Sequence, residues 1–420
     1  MDNEVIENGL GLNPGAISDD LCEIGYPGGR QSCLILPGSH PLEFYLFHKG
    51  IYYEEGTSSY GGTNPLYYTL IDMSLNEGEG RVIEKNVPLI EEDITYGQLT
   101  AVKHANGHDW WIITGGDSNN TYYKILLSDG MLQAYEIQNI GMPSSYHGSR
   151  GGQANFSPDG TKYIRYSSHD GVFLFDFDRA VGQLSSFRHL PTPEETFATG
   201  AGISPNSMYM YITTDTHIFQ YNLQSIDIAA SQIEVAEYDG YLSTFPTTFS
   251  QIQLGPDCKL YINSFATVDV LHVIHNPNES GLACNVEQHA IQLPFNHGQA
   301  LPHFPNYRLG PLIPGETPAP PCSPVVSTKE QEVAEQFAAK FQVYPNPAKE
   351  ILAFKLDQSL NEPVLLEIFH VSGSQVHSQF HSPIDGQFGV QTDNLKDGLY
   401  FCRLSLNGQD LGTRKIVILK

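Results

Sequence analysis

Residues 156–184 read FSPDGTKYIRYSSHDGVFLFDFDRAVGQL, and their layout recurs along most of the chain. A turn at Pro158-Asp159-Gly160 leads into a strand from Lys162 to Ser167. A second turn at His169-Asp170-Gly171 leads into a strand from Val172 to Phe177. Short runs of aromatic and β-branched residues between Pro, Asp and Gly clusters are what a pair of antiparallel strands looks like in sequence.

The pattern returns as ISPNSMYMYITTDTHIFQYNLQS from Ile203 and as LGPDCKLYINSFATVDVLHVIHNP from Leu254. The turn prolines Pro158, Pro205 and Pro256 stand 47 and 51 residues apart, and the second strands begin near Val172, His217 and Leu271. A more diverged copy, HDWWIITGGDSNNTYYKILLSDG, starts at His108. Another is LEFYLFHKG followed, after a Gly/Ser-rich insertion, by NPLYYTLIDMS. Such a period, built from short antiparallel strands with tight turns, predicts β-propeller blades, because one blade cannot bury both of its faces without neighbours. At this period the span from about residue 30 to 312 holds about six blades, and residues 1–40 are expected to supply strands that close the ring. A β-sandwich with accidentally similar hairpins is the competing architecture, and the near-constant spacing argues against it.

After LGPLIP the texture changes. Six prolines between residues 311 and 324 (311, 314, 318, 320, 321 and 324) mark an extended linker. STKEQEVAEQFAAKF then pairs Ser327 with Glu330 in a capping box and repeats Val333, Phe337 and Phe341 every four residues, predicting a short helix. From Phe341 strand patterns resume at Ile351 to Leu356, Val364 to Phe369 and Tyr400 to Leu406. Strands at this spacing over about 80 residues predict a small Ig-like β-sandwich. The expected organisation is all-β: a propeller of six to seven blades over 1–312, a Pro-rich linker with a short helix over 313–340, and the sandwich over 341–420.

Composition narrows the function. The chain has 420 residues and a formal charge of −25. Residues 341–420 hold seven basic and eight acidic groups, which leaves 15 basic against 39 acidic groups, a charge of −24, in the rest. Such a surface repels phosphate backbones, so nucleic acid is not an expected partner. No run of eighteen apolar residues predicts a transmembrane segment. The six cysteines (22, 33, 258, 284, 322 and 402) form no CxxC; Cys22–Cys33 and Cys258–Cys284 are bridges suggested by proximity alone, and buried free thiols fit equally well.

The C-terminal segment carries a recognisable set of motifs. YPNPAKEILAFKL at 344–356, VSGSQV at 371–376, LKDGLYFCRL at 395–404 and the closing GTRKIVILK resemble, in order, the type A sorting domain of the type IX secretion system of Bacteroidota. The resemblance covers about residues 341–420. It matches Tyr344-Pro345-Asn346-Pro347 to the opening motif and Gly373 to the mid-domain turn. Gly398-Leu399-Tyr400 match the penultimate strand and Lys415-Ile416-Val417 the last basic strand. It implies recognition by an outer-membrane translocon after export across the inner membrane, and cleavage by a sorting peptidase that leaves the cargo anchored to the surface or released. On physical grounds Pro345 and Pro347 keep the entering segment extended, and Ile416 and Ile418 are expected to face the core with Arg414 and Lys420 outside.

NGHDWW, FSPDG, FDFDR, LGPDCKLYI and LPHFPNYRLGP likewise resemble a group of secreted propellers that carry such domains, which implies architecture and location and no activity. MDNEVIENGLGLNPGAISDD lacks the basic and apolar regions of a signal peptide, so an exported chain is expected to be incomplete at its N-terminus.

Signatures of chemistry are sparse. There is no GxSxG, HExxH or GxxxxGK[ST], and neither a cofactor nor a metal is expected. His272 and His275, three apart on a strand, point to opposite faces, and His104 and His108 flank an Asn106-Gly107 turn. Asp176 and Asp178 read as strand-end carboxylates paired with Arg179 or solvent. Of Trp110 and Trp111, one is expected between blades and the other exposed. A site on a propeller belongs at the channel mouth, on loops leading into the innermost strands. His147 and Arg150 of HGSRGGQ and His297 of HGQ are the candidate ligand contacts there, although glycines for close blade packing explain both loops as well. The expected function is a secreted or surface-displayed binding module for an extracellular ligand. The alternative is an extracellular hydrolase or lyase acting on polysaccharide or peptide through carboxylates in the channel.

Overall fold

The computed structural model describes residues 5–21, 30–53, 60–145, 152–197, 199–298, 300–313, 315, 322, 341–356, 363–370, 375–406 and 409–420. The chain divides into two compact units, Met1–Ser323 and Pro324–Lys420. The helix expected around Ser327 to Phe337 lies outside the described residues.

Among the described residues the first unit contains five antiparallel sheets, each running outward from an innermost strand, and a two-stranded pair, Tyr52–Tyr53 with Tyr60–Gly62. Blade 1 is Cys33–Pro37, Glu43–Lys49, Leu66–Asp72 and Arg81–Ile90. Blade 2 is Thr100–Lys103, Trp110–Gly115 and Thr121–Ser128, with Met131–Leu132 and Glu136–Asn139 sharing its outer edge. Blade 3 is Gln153–Phe156, Lys162–Ser167, Gly171–Asp178 and Gln183–Leu190. Blade 4 is Gly200–Ile203, Tyr209–Thr213, His217–Asn222 and Ile233–Glu237; blade 5 is Ile252–Leu254, Leu260–Ile262, Val268–Ile274 and Val286–His297. Every copy of the sequence repeat falls on one of these sheets, and the turns at Pro158, Pro205 and Pro256 join the innermost strand to the second in blades 3, 4 and 5.

The described residues thus form five blades rather than the six to seven expected. Innermost strands begin at residues 33, 100, 153, 200 and 252, so the first interval is 67 residues long instead of 47 to 51. The insertion in blade 1 and its ten-residue outer strand use the sequence that the period had assigned to another blade. The described residues among 298–312, also counted into a blade, form no strand. Of the described residues up to 40, Cys33–Pro37 is the strand that enters a blade, Glu7 bridges Arg81 on the outer strand of blade 1, and Ala16–Leu21 is a short helix.

Apolar cores lie between consecutive blades. Trp110, Ile112 and Ile125 pack with Leu34, Phe47 and Leu66 between blades 1 and 2. Trp111, Ile113 and Tyr122 pack with Tyr163, Phe173 and Phe175 between blades 2 and 3. The adjacent tryptophans do face opposite ways, but both are buried, at 2% and 4% exposure, so neither is a surface stacking platform. Further cores join blade 3 to 4 through Leu174 and Ile212, and blade 4 to 5 through Tyr211 and Phe249.

Among its described residues the second unit is a seven-stranded sandwich. Phe341–Tyr344, Ile351–Leu356 and Gln387–Gln391 form one sheet; Gln375–His381, Val364–His370, Gly398–Leu406 and Gln409–Ile418 form the other. Between them lie Phe341, Leu352, Phe354, Leu366, Ile368, Cys402, Leu404, Ile416 and Ile418. Arg414 and Lys420 are exposed although they share the parity of the buried Ile416 and Ile418, Lys420 lying beyond the strand's end; the residues that alternate with the isoleucines are the exposed Lys415 and the half-buried Val417.

Candidate functional site

Glutamines stand at the start of four innermost strands or immediately before them: Gln31, Gln98, Gln153 and Gln251. All four are buried. An amide side chain carries both a donor and an acceptor, so it can dock against a peptide group as another strand would. Gln31, which leads into blade 1, accepts from Ala154 N–H and donates to Ala154 C=O of blade 3, both at 2.8 Å. Gln153 of blade 3 accepts from the N–H groups of Ala201 and Ile252, both at 2.9 Å, and donates to Ile252 C=O at 2.6 Å. The two amides therefore tie blades 1, 3 and 5 together, and Gln153 also holds the intervening blade 4. Gln98 accepts from Arg165 Nε at 2.6 Å, and Gln251 from Leu301 N–H at 3.1 Å. Blade 4 has Gly200-Ala201-Gly202 instead. A Cβ on Gly200 would stand 2.0 Å from Ser250 O, and one on Gly202 2.5 Å from Ile252 Cγ2, so the backbone leading into blade 5's innermost strand fills the space at Gly200 and the Ile252 side chain fills it at Gly202.

Beyond these clasps, the far ends of the innermost strands enclose a cavity of about 390 Å³. Its walls include Thr100, Asn155, Phe156, Ile203, Gln253 and Leu254, with Pro158 and Pro256 of the repeated turns at its rim. The remaining wall is the strap that follows blade 5, His303 to Arg308. His303 bridges Gln31 (3.0 Å) and Thr100 (3.0 Å), Asn306 donates to Pro158 C=O (2.9 Å), and Tyr307 donates to Ile35 C=O (2.6 Å). Phe304 remains 60% exposed. The cavity is mostly apolar, edged by the amides of Asn155 and Gln253 with the exposed Arg308 at one side, and no Asp or Glu lines it among the described residues. Its single imidazole is already held by two partners, and burial lowers its pKa to about 4.

Of the ligand contacts expected from sequence, His147 and Arg150 lie outside the described residues. His297 ends the outermost strand of blade 5, bonded to Val270 C=O at 3.1 Å, and does not stand on a loop into an innermost strand. The loop was misplaced because Gly298 opens the strap rather than a sixth blade. Asp176 pairs with Lys162 (2.9 Å) and Arg188 (2.5 Å) rather than Arg179, which donates to the carbonyls of Lys103, His104 and Gly310. His272 is fully buried, while His275 pairs with Glu287. His108, Asp109 and Asp129 cluster, but Asp109 already accepts from Asn106, Ser128, His108 and the Asp129 N–H and so serves as a turn anchor.

In the sandwich, Asn346 repeats the amide device: it donates to Lys415 C=O at 2.9 Å and accepts from Val417 N–H at 2.8 Å. Ala348 continues the pairing with Val417 and Leu419. The Tyr344-Pro345-Asn346-Pro347 segment and the Lys415-Ile416-Val417 strand are therefore neighbours, with Tyr344, Pro345, Pro347 and Lys415 exposed and Ile416 buried. Gly398 and Leu399 open the penultimate strand, and the buried Tyr400 donates to Lys396 C=O at 2.9 Å. Gly373 lies outside the described residues.

Comparison with known proteins agrees for this unit: residues 342–419 match the secretion system C-terminal sorting domain. No curated protein matches the chain. Solved structures similar to it include a candidate 6-phosphogluconolactonase from Bacteroides fragilis (11% identity, 62% of this chain and 84% of that one, TM-score 0.39). Another, described in the same words, is from Bacteroides uniformis (14%, 91% and 87%, TM-score 0.41). The Dos1 propeller is a third (14%, 57% and 56%, TM-score 0.35).

Proposed function

We propose, from the premise that residues 342–419 are a type IX sorting domain, that this chain is an exported propeller which binds a small extracellular ligand in its axial cavity. The sorting domain directs the chain to the type IX machinery and so to the outer surface or the medium. On this reading a sorting peptidase removes it there, and the exposed Tyr344 and Lys415 belong to the face the machinery reads.

The observation that carries the binding reading is the cavity's lining. Phe156, Phe304 and the rim prolines offer flat apolar faces, and Asn155 and Gln253 offer amide edges, with no carboxylate among the described lining residues. That combination suits a small uncharged ligand with one apolar face and hydroxyl or amide edges, such as a neutral saccharide or a peptide end. Hydrolase or lyase chemistry asks for converging acids and bases, which this lining does not supply.

Thermal-shift titration with neutral mono- and disaccharides and capped dipeptides tests the reading. The account expects at least one class to raise Tm. Phe304→Ala should weaken it about tenfold, the worth of one aromatic contact. No shift from any member, or full binding by both Phe304→Ala and Gln253→Ala, would place the function elsewhere.

A further inference from the structure

The turn that ends the innermost strand of blade 5, Gly255-Pro256-Asp257-Cys258, carries a thiol, and Gly255 and Pro256 line the cavity. Cys258 Sγ lies 2.7 Å from the carbonyl oxygen of Cys322. Cys322 is 8% exposed and belongs to the same compact unit. Sequence proximity suggested Cys284 as the partner instead. Cys284 is buried in the core between blades 4 and 5, beside the Tyr211 hydroxyl.

We propose that Cys258 and Cys322 form a disulfide that fastens the chain beyond the strap to the cavity rim. A disulfide needs its two Cα atoms within about 7 Å. The Cys322 carbonyl oxygen lies two bonds from the Cys322 Cα, so the Cys258 sulfur is within about 5 Å of that Cα. Both thiols are free in this structure, and the bond requires the Cys322 side chain to turn toward Cys258. The bond closes a segment that begins at the rim turn and includes His303 to Arg308, the opposite wall of the cavity, so oxidation fixes both walls relative to each other.

The proposal rests on the export reading only for its setting, since disulfides persist outside the cytoplasm. The chemistry balances by exchange. One thiolate attacks a disulfide of an oxidoreductase or of oxidised glutathione, expelling one thiol. The second thiolate then displaces the other half as a second thiol, and the two cysteines have given up two electrons and two protons. Burial and the neighbouring Asp257 raise the Cys258 pKa, so exchange is faster at alkaline pH.

The test uses the purified full chain, incubated with oxidised glutathione at pH 8.5, alkylated without reductant and digested. This makes the result independent of where the chain is found in the cell. The expected result is a peptide pair linking Cys258 to Cys322 that separates on reduction. Reduction should lower the Tm of the first unit by roughly 5–10 °C, and Cys258→Ser should show no such fall and leave Cys322 open to alkylation. Complete alkylation of both cysteines, glutathione retained on either, or Cys258 linked to another cysteine would each overturn the proposal.

Discussion

Replacing Gln153 by leucine keeps much of the side chain's bulk and removes its amide. In the native chain that amide satisfies three buried backbone groups, the N–H of Ala201 and both the N–H and C=O of Ile252. The blades stand too close for solvent to enter, since Gly202 has room for no Cβ beside Ile252. Each orphaned buried group costs about 1–3 kcal/mol. Some relaxation between the strands brings the expected loss to about 3–6 kcal/mol, a large share of a domain's usual margin of about 5–15 kcal/mol. The assay is urea unfolding of the full chain followed by tryptophan fluorescence, which reports only the first unit because both tryptophans, Trp110 and Trp111, lie there. Gln153→Leu should lower the midpoint strongly with little change in slope. Gln253→Ala, which touches only the cavity wall, should stay within about 1 kcal/mol of the parent. If Gln153→Leu lies within 0.5 kcal/mol of the parent, within the scatter of about ±0.5 kcal/mol for ordinary surface changes, the amides do not hold the blades together.

Three further outcomes are expected. His48, His272 and His303 are held by burial at pKa values of about 4, below the unfolded value near 6.5. Between those values the unfolded chain binds more protons, so stability falls as pH drops from about 6.5 to 4, by up to about 3 kcal/mol per histidine. Denaturation midpoints across that range should show the slope, and His272→Phe should flatten it. Asn346→Ala removes two bonds to the last strand at an exposed position and should cost the sandwich about 1–2 kcal/mol, read by hydrogen exchange at Val417. Ile416→Ala, at a fully buried position, should cost about 2–5 kcal/mol and reduce export in proportion, measured as the fraction of chain outside the cell.

The blades were legible because each repeats a local signal: Pro158, Pro205 and Pro256 punctuate the same turn, and that turn needs no distant contact. Their number was not, because a period presumes constant connectors and blade 1 breaks it. The sandwich was legible from the motif order, and the inward Ile416 and Ile418 from strand alternation alone. The cavity was hidden because its walls come from far apart: His303 meets Gln31 across 272 residues, and no local pattern announces a strap. The glutamines left a trace, recurring ahead of or at four innermost strands. Read alone, a polar residue at a strand's start suggests solvent exposure, and only the packing of the innermost strands around the axis turns it inward.

The central claim is that the sorting domain carries this propeller out of the cell. Its most direct test is peptide mapping with intact mass on chain recovered separately from cytoplasm, cell surface and medium, beside a chain ending at residue 323. The account predicts that the parent's propeller peptides are found at the surface or in the medium, with or without residues 342–419, and that the shortened chain stays inside. An intact parent confined to the cytoplasm, or equal export of the shortened chain, would contradict it.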